Sequence, residues 1–505
     1  MRNVALAVLL ASTPAAAQVS VTTWQYNLAR TGANTQETTL TPANVNASSF
    51  GKLCAYKVDG QIYAQPLYIP GLTINGAVHN VVFVATEHDS VYAFDAECDQ
   101  RAPLWHTSFL GANITTMPCT SDQQAQCDVT IMAPEHGISP TPVIDPAANT
   151  IFIAAQSVES GAYTQKLHAL SLTTGAEQPH SPVVIRGRAP SNPKKVFNPT
   201  QAFQRAGLLL LNGLVYVPFS SNDSATGWMF GYSETTLAQQ IIFCVTPKGN
   251  LGGIWGGGAA PAVDTAENIY LGTGNGTFDA DKNGPNYSMS ALKLIPSGNT
   301  LEVQSYFTPA RQGRLSRQDL DFDSGGLILL PDNEAVIGYK TGHLVVLNTN
   351  DLGGFRNKAA LQNILVSSGG IWSSPAYWNG NLYLAGVDSP LLQWQLHNGR
   401  LPAAPTHQSA TAYNYPGATP SITSNGNADG IVWAIESTGR VRGGSAAILH
   451  AYDAGNVSHE LYNSGQSGDR DTAGRSVKFS VPTVVDGHAF VGTQTEIDVY
   501  GVLKK

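Results

Sequence analysis

Three aspartates at alternate positions, Asp319, Asp321 and Asp323, crowd the stretch "RQDLDFDSGG" (317–326). Carboxylates this close either share a structural cation or include one placed to take a proton from a substrate. Glu159 and Asn275 are oxygen donors of the kind a hard cation accepts; Asn275 follows a glycine and equally suits a left-handed turn. Trp255 stands among glycines in "GGIWGGGAAP" (252–261), where an indole is a flat apolar surface or the plug of a channel mouth. "GGIW" recurs at Trp372, which supports a repeated packing role. Lys340 precedes Thr-Gly in a hairpin context, and His136 sits in "PEHGISPTP" (134–142). Asp469, Arg470, Asp471 and Arg475 form a mixed-charge group in "SGDRDTAGRSVKF" (467–479), read as an ion-pair cluster or as a site for a sugar or carboxylate.

These residues need a scaffold, and composition narrows it. The chain has 505 residues, 42 % hydrophobic and only 13 % charged, which excludes a disordered chain. Its net charge of −8, with no basic cluster, argues against nucleic acid as a partner. Arg2, the apolar run Val4–Ala11 and Ala15-Ala16-Ala17 before Gln18 have the pattern of a signal peptide over residues 1–17. No apolar run is long enough to span a membrane, so the mature protein is expected to be secreted or periplasmic. Five cysteines suit that compartment. Cys119 and Cys127 lie close enough in sequence to be expected as a loop-closing disulfide, and the partners of Cys54, Cys98 and Cys244 stay open.

Short apolar runs recur between turn signals, and they repeat as a unit of four strands. Pro66, Pro142, Pro261, Pro375, Pro420 and Pro482 open six of the units, and 205–219 and 324–339 fill the two long gaps between them. The third strands form a matching series: "VYAFDA" at 91, "LHALSL" at 167, "MFGYSE" at 229, "SALKLI" at 290, "LVVLNT" at 344, "LQWQLH" at 392, "LHAYDA" at 449 and "IDVYGV" at 497. Eight four-stranded units predict an all-β, eight-bladed β-propeller over residues 50–505, preceded by a lead segment, 18–49. The last unit lacks a fourth strand; "FGKLCAYKVDG" (50–60) is expected to supply it and so close the ring.

Several of these segments resemble one group of propellers, the quinoprotein alcohol and methanol dehydrogenases that use pyrroloquinoline quinone (PQQ). "WQYNLARTGANTQETTLTPANVNASSFGKL" (24–53) is similar to the family's opening segment, and "LHALSLTTGAE" (167–177) to its repeat. "NIYLGTGNGTFDA" (268–280) resembles the stretch whose asparagine ligates calcium, here Asn275. "GGIWGGGAAP" places Trp255 where the family stacks an indole on the quinone, and "YKTGHLVVLN" (339–348) brings Lys340 to it. "RQDLDFDSGG" resembles the segment of the catalytic aspartate, with Asp321 the match and Asp319 the alternative carboxylate. "AAQSVESGAYTQKLHAL" (154–170) resembles the loop with the calcium-binding glutamate, here Glu159, and His136 stands where the family has an arginine.

The resemblance implies PQQ held by Trp255, Lys340 and His136, and Ca²⁺ held by Glu159, Asn275 and Asp321. The departures count too: the family's adjacent Cys-Cys pair is missing, and His136 lacks a fixed charge. The expected function is oxidation of an alcohol or sugar hydroxyl, with electrons passed to an external acceptor because no CxxCH haem motif is present. The alternatives are a non-catalytic binding or assembly scaffold and a carbohydrate-active lyase or hydrolase.

Overall fold

The computed structural model describes residues 18–119, 134–220, 226–437 and 444–504. The expected signal peptide and Cys127 lie outside them. Among the described residues there are eight sheets of four or more strands, one two-stranded hairpin and a single short α-helix, Gln312–Arg317. The first sheet shows the plan: Leu67–Ile74, Ala77–Ala85, Ser90–Asp95 and Trp105–Ser108 pair antiparallel in chain order. Later sheets begin at Val143, Leu209, Ala262, Leu327, Ala376, Ser421 and Thr483, six of the eight directly after the prolines named above. Proline has no N–H to give a ladder, so it fits just ahead of the innermost strand. All-β order with successive four-stranded antiparallel sheets is the architecture of a propeller.

Inner strands are buried on both faces: Ser90–Asp95, Trp228–Ser233 and Leu327–Leu330 are buried throughout. The reason is that apolar clusters fill the seams between neighbouring sheets. One cluster joins Leu209, Tyr216 and Met229 of the third sheet to Val263, Ile269 and Leu292 of the fourth. The next joins Ala262 and Tyr270 to Leu327, Leu329 and Ile337 of the fifth. Such strands read as unbroken apolar runs, without alternation.

The lead segment does more than precede the sheets. Residues 21–34 bond to the first strands of seven of them: Val21 with Tyr68, Thr22 with Ile144, Leu28 with Val263, Ala29 with Leu329, Thr31 with Tyr377, Gly32 with Ile422, and Asn34 and Tyr26 with Val484. One stretch of chain therefore acts as a hub on which the innermost strands converge. Arg30 lies buried in it, donating to the carbonyls of Pro261 (2.9 Å) and Trp24 (2.9 Å) and to Thr23 Oγ1 (2.7 Å). Phe50–Lys57 pairs antiparallel with Glu496–Val502, so the last sheet takes its outer strand from the start of the chain, as expected.

Cys54 of that strand is bonded to Cys98 of the first sheet's edge. Cys119 is also disulfide-bonded, and Cys244 is a buried free thiol. The 467–479 group, expected to face the inner strands, splits. Arg470 and Asp471 pair with each other and brace the outer strand: Asp471 accepts from Lys52 N (3.1 Å) and Tyr462 Oη (2.9 Å), and Arg470 bonds to Ala47 O (2.9 Å). Arg475 is exposed. Val477, Lys478 and Phe479 are the part that packs with the rings near Trp255 and Tyr415. Among the described residues no helix is long and apolar enough to cross a membrane.

Candidate functional site

Each first strand is reached through a lead-in, and each second strand turns into the third through a loop. At the seam between the fourth and fifth sheets these pieces meet. The loop after Ile269–Gly272 brings Asn275, the lead-in before Leu327–Leu330 brings Asp319, Asp321 and Asp323, and the turn before His343–Asn348 brings Lys340. Asn275 donates its backbone N–H to Asp321 Oδ1 and its side-chain amide to Asp319 Oδ1, both at 2.7 Å. Lys340 Nζ bridges Asp319 (3.0 Å) and Asp321 Oδ2 (2.6 Å). Asp323, buried beneath, accepts the Trp255 N–H at 2.8 Å. A Cβ at Gly274 would come within 2.6 Å of Asp321 and 2.9 Å of Asp323, so the two carboxylates need a bare backbone there.

Burial raises the Asp321 carboxyl above its ordinary value, against the pull of Lys340. Burial, reinforced by the Asp321 charge, pushes Asp323 up to about 8. The seam thus holds two carboxyls that burial pushes toward the protonated form: Asp321, which Lys340 pulls the other way, and Asp323, which keeps its proton near neutrality.

Aromatic rings from other lead-ins surround this group. Trp255 is half-buried and meets Phe479 edge to face, ring centroids 5.2 Å apart. Tyr415 and Trp372 continue the chain of rings at 6.4 and 5.2 Å. Arg205 lies over Tyr63 (5.6 Å) and Phe479 (5.3 Å), and Lys478 over Tyr415 (5.0 Å). Sequence reading missed Tyr63, Tyr415, Phe479 and Arg205. The signal was present: an aromatic residue stands three to six positions ahead of Pro66, Pro261, Pro375, Pro420 and Pro482.

The remaining candidates lie elsewhere in the network. His136 is fully buried against Phe203, ring centroids 4.6 Å apart, with the Gln156 amide 2.6 Å from Nδ1. Burial, then the Arg205 charge, depresses its pKa to about 3, so it is a neutral imidazole, and the cation beside it is Arg205. Glu159 ends the strand Thr150–Glu159 and is held by Lys166 Nζ (2.5 Å) and Ser157 Oγ (3.1 Å).

A flat anionic quinone fits what is assembled: an indole with part of its face open, and Asp321 and Lys340, each only about one-fifth exposed, beside it. The calcium set fits less well. Asn275 Oδ1 is buried without a partner, as a ligand oxygen would be, but Glu159 shares no hydrogen-bond partner with it and is already neutralised by Lys166. Lys340 likewise already neutralises Asp321. Among the described residues, no three acidic, histidine or cysteine side chains stand ready to hold a metal.

The sequence matches no family profile and no curated protein. Solved structures do resemble it. Quinohemoprotein alcohol dehydrogenase from Comamonas testosteroni is similar over 96 % of this chain and 81 % of its own, with TM-score 0.63 and 14 % identity. A europium-containing methanol dehydrogenase gives TM-score 0.61 at 12 % identity, over 96 % of this chain and 98 % of its own. BamB from Moraxella catarrhalis gives 0.53 at 13 % identity, over 90 % and 99 %. At these identities the likeness is one of fold: the chain has the propeller fold of the quinoprotein dehydrogenases.

Proposed function

We propose that this protein is an exported quinoprotein-like oxidoreductase that oxidises an alcohol or sugar hydroxyl and passes the electrons to an external acceptor. Its scaffold is one domain, an eight-bladed ring over 50–505 closed by the strand Phe50–Lys57; residues 1–17 direct export to the periplasm or beyond. Deleting the chain up to Gly60 would bare the edge of Glu496–Val502 and should make the protein aggregate. The observation that carries the functional reading is the single hydrogen-bonded group of Asn275, Asp321 and Lys340, next to which Asp323 accepts the backbone N–H of half-buried Trp255.

In this reading Trp255 would support the quinone ring, and Lys340, with Arg205, would meet its negative charge. The bound quinone would supply a two-electron acceptor for hydride. Asp321 would take the substrate hydroxyl proton, and Lys340 orients its carboxylate and, against burial, favours its ionised form. Asp319, more exposed, is the alternative base. No role in the reaction is drawn for calcium at Glu159, Asn275 and Asp321, because Lys166 and Lys340 already meet that charge.

One observation favours a second reading, ligand binding without turnover: Phe479 stands against the Trp255 ring. Titrating the protein with PQQ while following Trp fluorescence, absorption and melting temperature separates the two. Binding to the folded state must raise melting. With quinone bound, dye-linked reduction by a panel of alcohols and sugars is expected. A protein that neither binds quinone nor reduces dye is a binding propeller instead.

A further inference from the structure

The seam between the first and second sheets is built from the same pieces as the Asp321 seam, a loop between second and third strands and the lead-in of the next sheet. It holds two carboxylates that no lysine or arginine hydrogen-bonds. The loop "TEHDS" (86–90) carries Glu87 and Asp89, both with no exposed surface. Glu87 Oε2 accepts the Gly137 N–H of the next lead-in at 2.7 Å, but Oε1 has no partner. Neither oxygen of Asp89 has one.

The Ser139 hydroxyl, also fully buried, lies beside Glu87 outside hydrogen-bond geometry. Asp89 Oδ1 and the Glu87 carbonyl oxygen both lie against Gly137: a Cβ there would sit 2.7 Å from the first and 2.4 Å from the second. Nearby acids are already satisfied. Asp59 accepts from Thr86 (2.9 Å) and Ser90 (2.5 Å), and Glu135 accepts from Thr116 (2.9 Å) and pairs with His88 (2.9 Å).

We infer that this seam binds a divalent cation of the calcium kind, through Glu87 Oε1, the Asp89 carboxylate and the Ser139 hydroxyl. The argument is one of charge. A buried carboxylate without partners costs several kcal/mol unless it is neutralised or paired. Of the basic groups at hand, Lys166 pairs with Glu159 and His88 with Glu135, while Arg205, whose charge is felt at Glu87, gives its hydrogen bonds to the carbonyls of Ser139 and Gly257 at 3.3 Å; none of them bonds to Asp89. Carboxylate and hydroxyl oxygens are the ligands a hard cation takes, and calcium tolerates the irregular, part-hydrated shell this seam would give it. The inference does not depend on a quinone.

The test uses the full-length mature protein stripped with a chelator, without quinone. Calcium is titrated by calorimetry and melting temperature, and Tb³⁺ by luminescence sensitised by neighbouring aromatic rings. Wild type should bind one ion in this seam and melt higher when loaded. Asp89→Asn and Glu87→Gln should each weaken binding by no less than the roughly 10–100-fold that losing even an outer partner of a ligand costs. Glu159→Gln should bind as wild type does. A stripped wild type that binds neither Ca²⁺ nor Tb³⁺ at millimolar concentration overturns the inference, and so do Asp89→Asn and Glu87→Gln proteins that bind as tightly as wild type. Failure of quinone binding with calcium binding intact would sink the oxidoreductase reading alone.

Discussion

The two carboxylate seams answer one electrostatic problem differently. Between the fourth and fifth sheets, Asp319 and Asp321 receive a covalently tethered cation, Lys340, and an amide, Asn275. Between the first and second, Glu87 and Asp89 receive one backbone N–H and nothing else. A lysine makes a carboxylate permanently available as an ionised base near solvent. A buried pair left without one is poised to take its cation from outside. The same kind of seam, with its carboxylates on the lead-in in one case and on the loop in the other, can therefore serve chemistry or ligand storage, according to whether an ammonium reaches them.

The sharpest way to break this contrast is at Asp321. Asp321→Asn keeps shape and hydrogen bonding but loses basicity, so turnover should fall by something like 10²–10⁴ with quinone binding nearly unchanged. An Asp321→Asn enzyme as fast as wild type would move the base to Asp319. Lys340→Met goes further, because it turns the lysine-paired kind of seam into the kind left without a lysine. It should cost about 2–3 kcal/mol by denaturant unfolding, less than a fully buried pair because both partners keep some exposure. The variant should also gain a calcium-dependent rise in melting that wild type lacks at this seam.

The smallest effect is in pH. The folded-state pKa of Asp323 is raised, so the folded form holds a proton that the unfolded chain has lost. That contribution is complete below about pH 4, the unfolded value, and disappears as pH rises toward about 8. Between those limits wild type should lose stability relative to Asp323→Asn. Parallel stability curves for the two would mean that the carboxyl is ionised throughout. His136 has the opposite sign: its depressed pKa makes its contribution fade as pH falls from about 6.5 toward about 3.

The repeat was readable because its punctuation is physical. Prolines 66, 142, 261, 375, 420 and 482 precede first strands since an inner strand leaves no use for their missing N–H. Phe50–Lys57 could be assigned to the last sheet because a three-strand unit at the end of the chain leaves an edge to cover. The Asp319–Lys340 group was legible through resemblance. Glu87 and Asp89 were not, because "TEHDS" in isolation is an ordinary polar hairpin turn, and only burial against Gly137 makes it costly. The misplacement of Asp469–Asp471 has a similar cause. Sequence places a segment before a strand, but it does not say which end of the preceding turn faces inward.

The hub formed by residues 21–34 carries a consequence for how the chain reaches this state. Its partners lie as far away as Ile422 and Val484, so the first described segment to be synthesised finds its last contacts only when the final sheet exists. Contacts of such sequence separation are slow to form and keep the folding rate low. A stack of repeats that touch only their neighbours can accrete one at a time. Here the innermost strands lack a shared partner until the whole chain is present. Folding should therefore be late and all-or-none, with sheet edges open to mispairing until the hub is seated. A chain truncated from its C-terminus, sheet by sheet, is expected to show no series of progressively weaker folded forms.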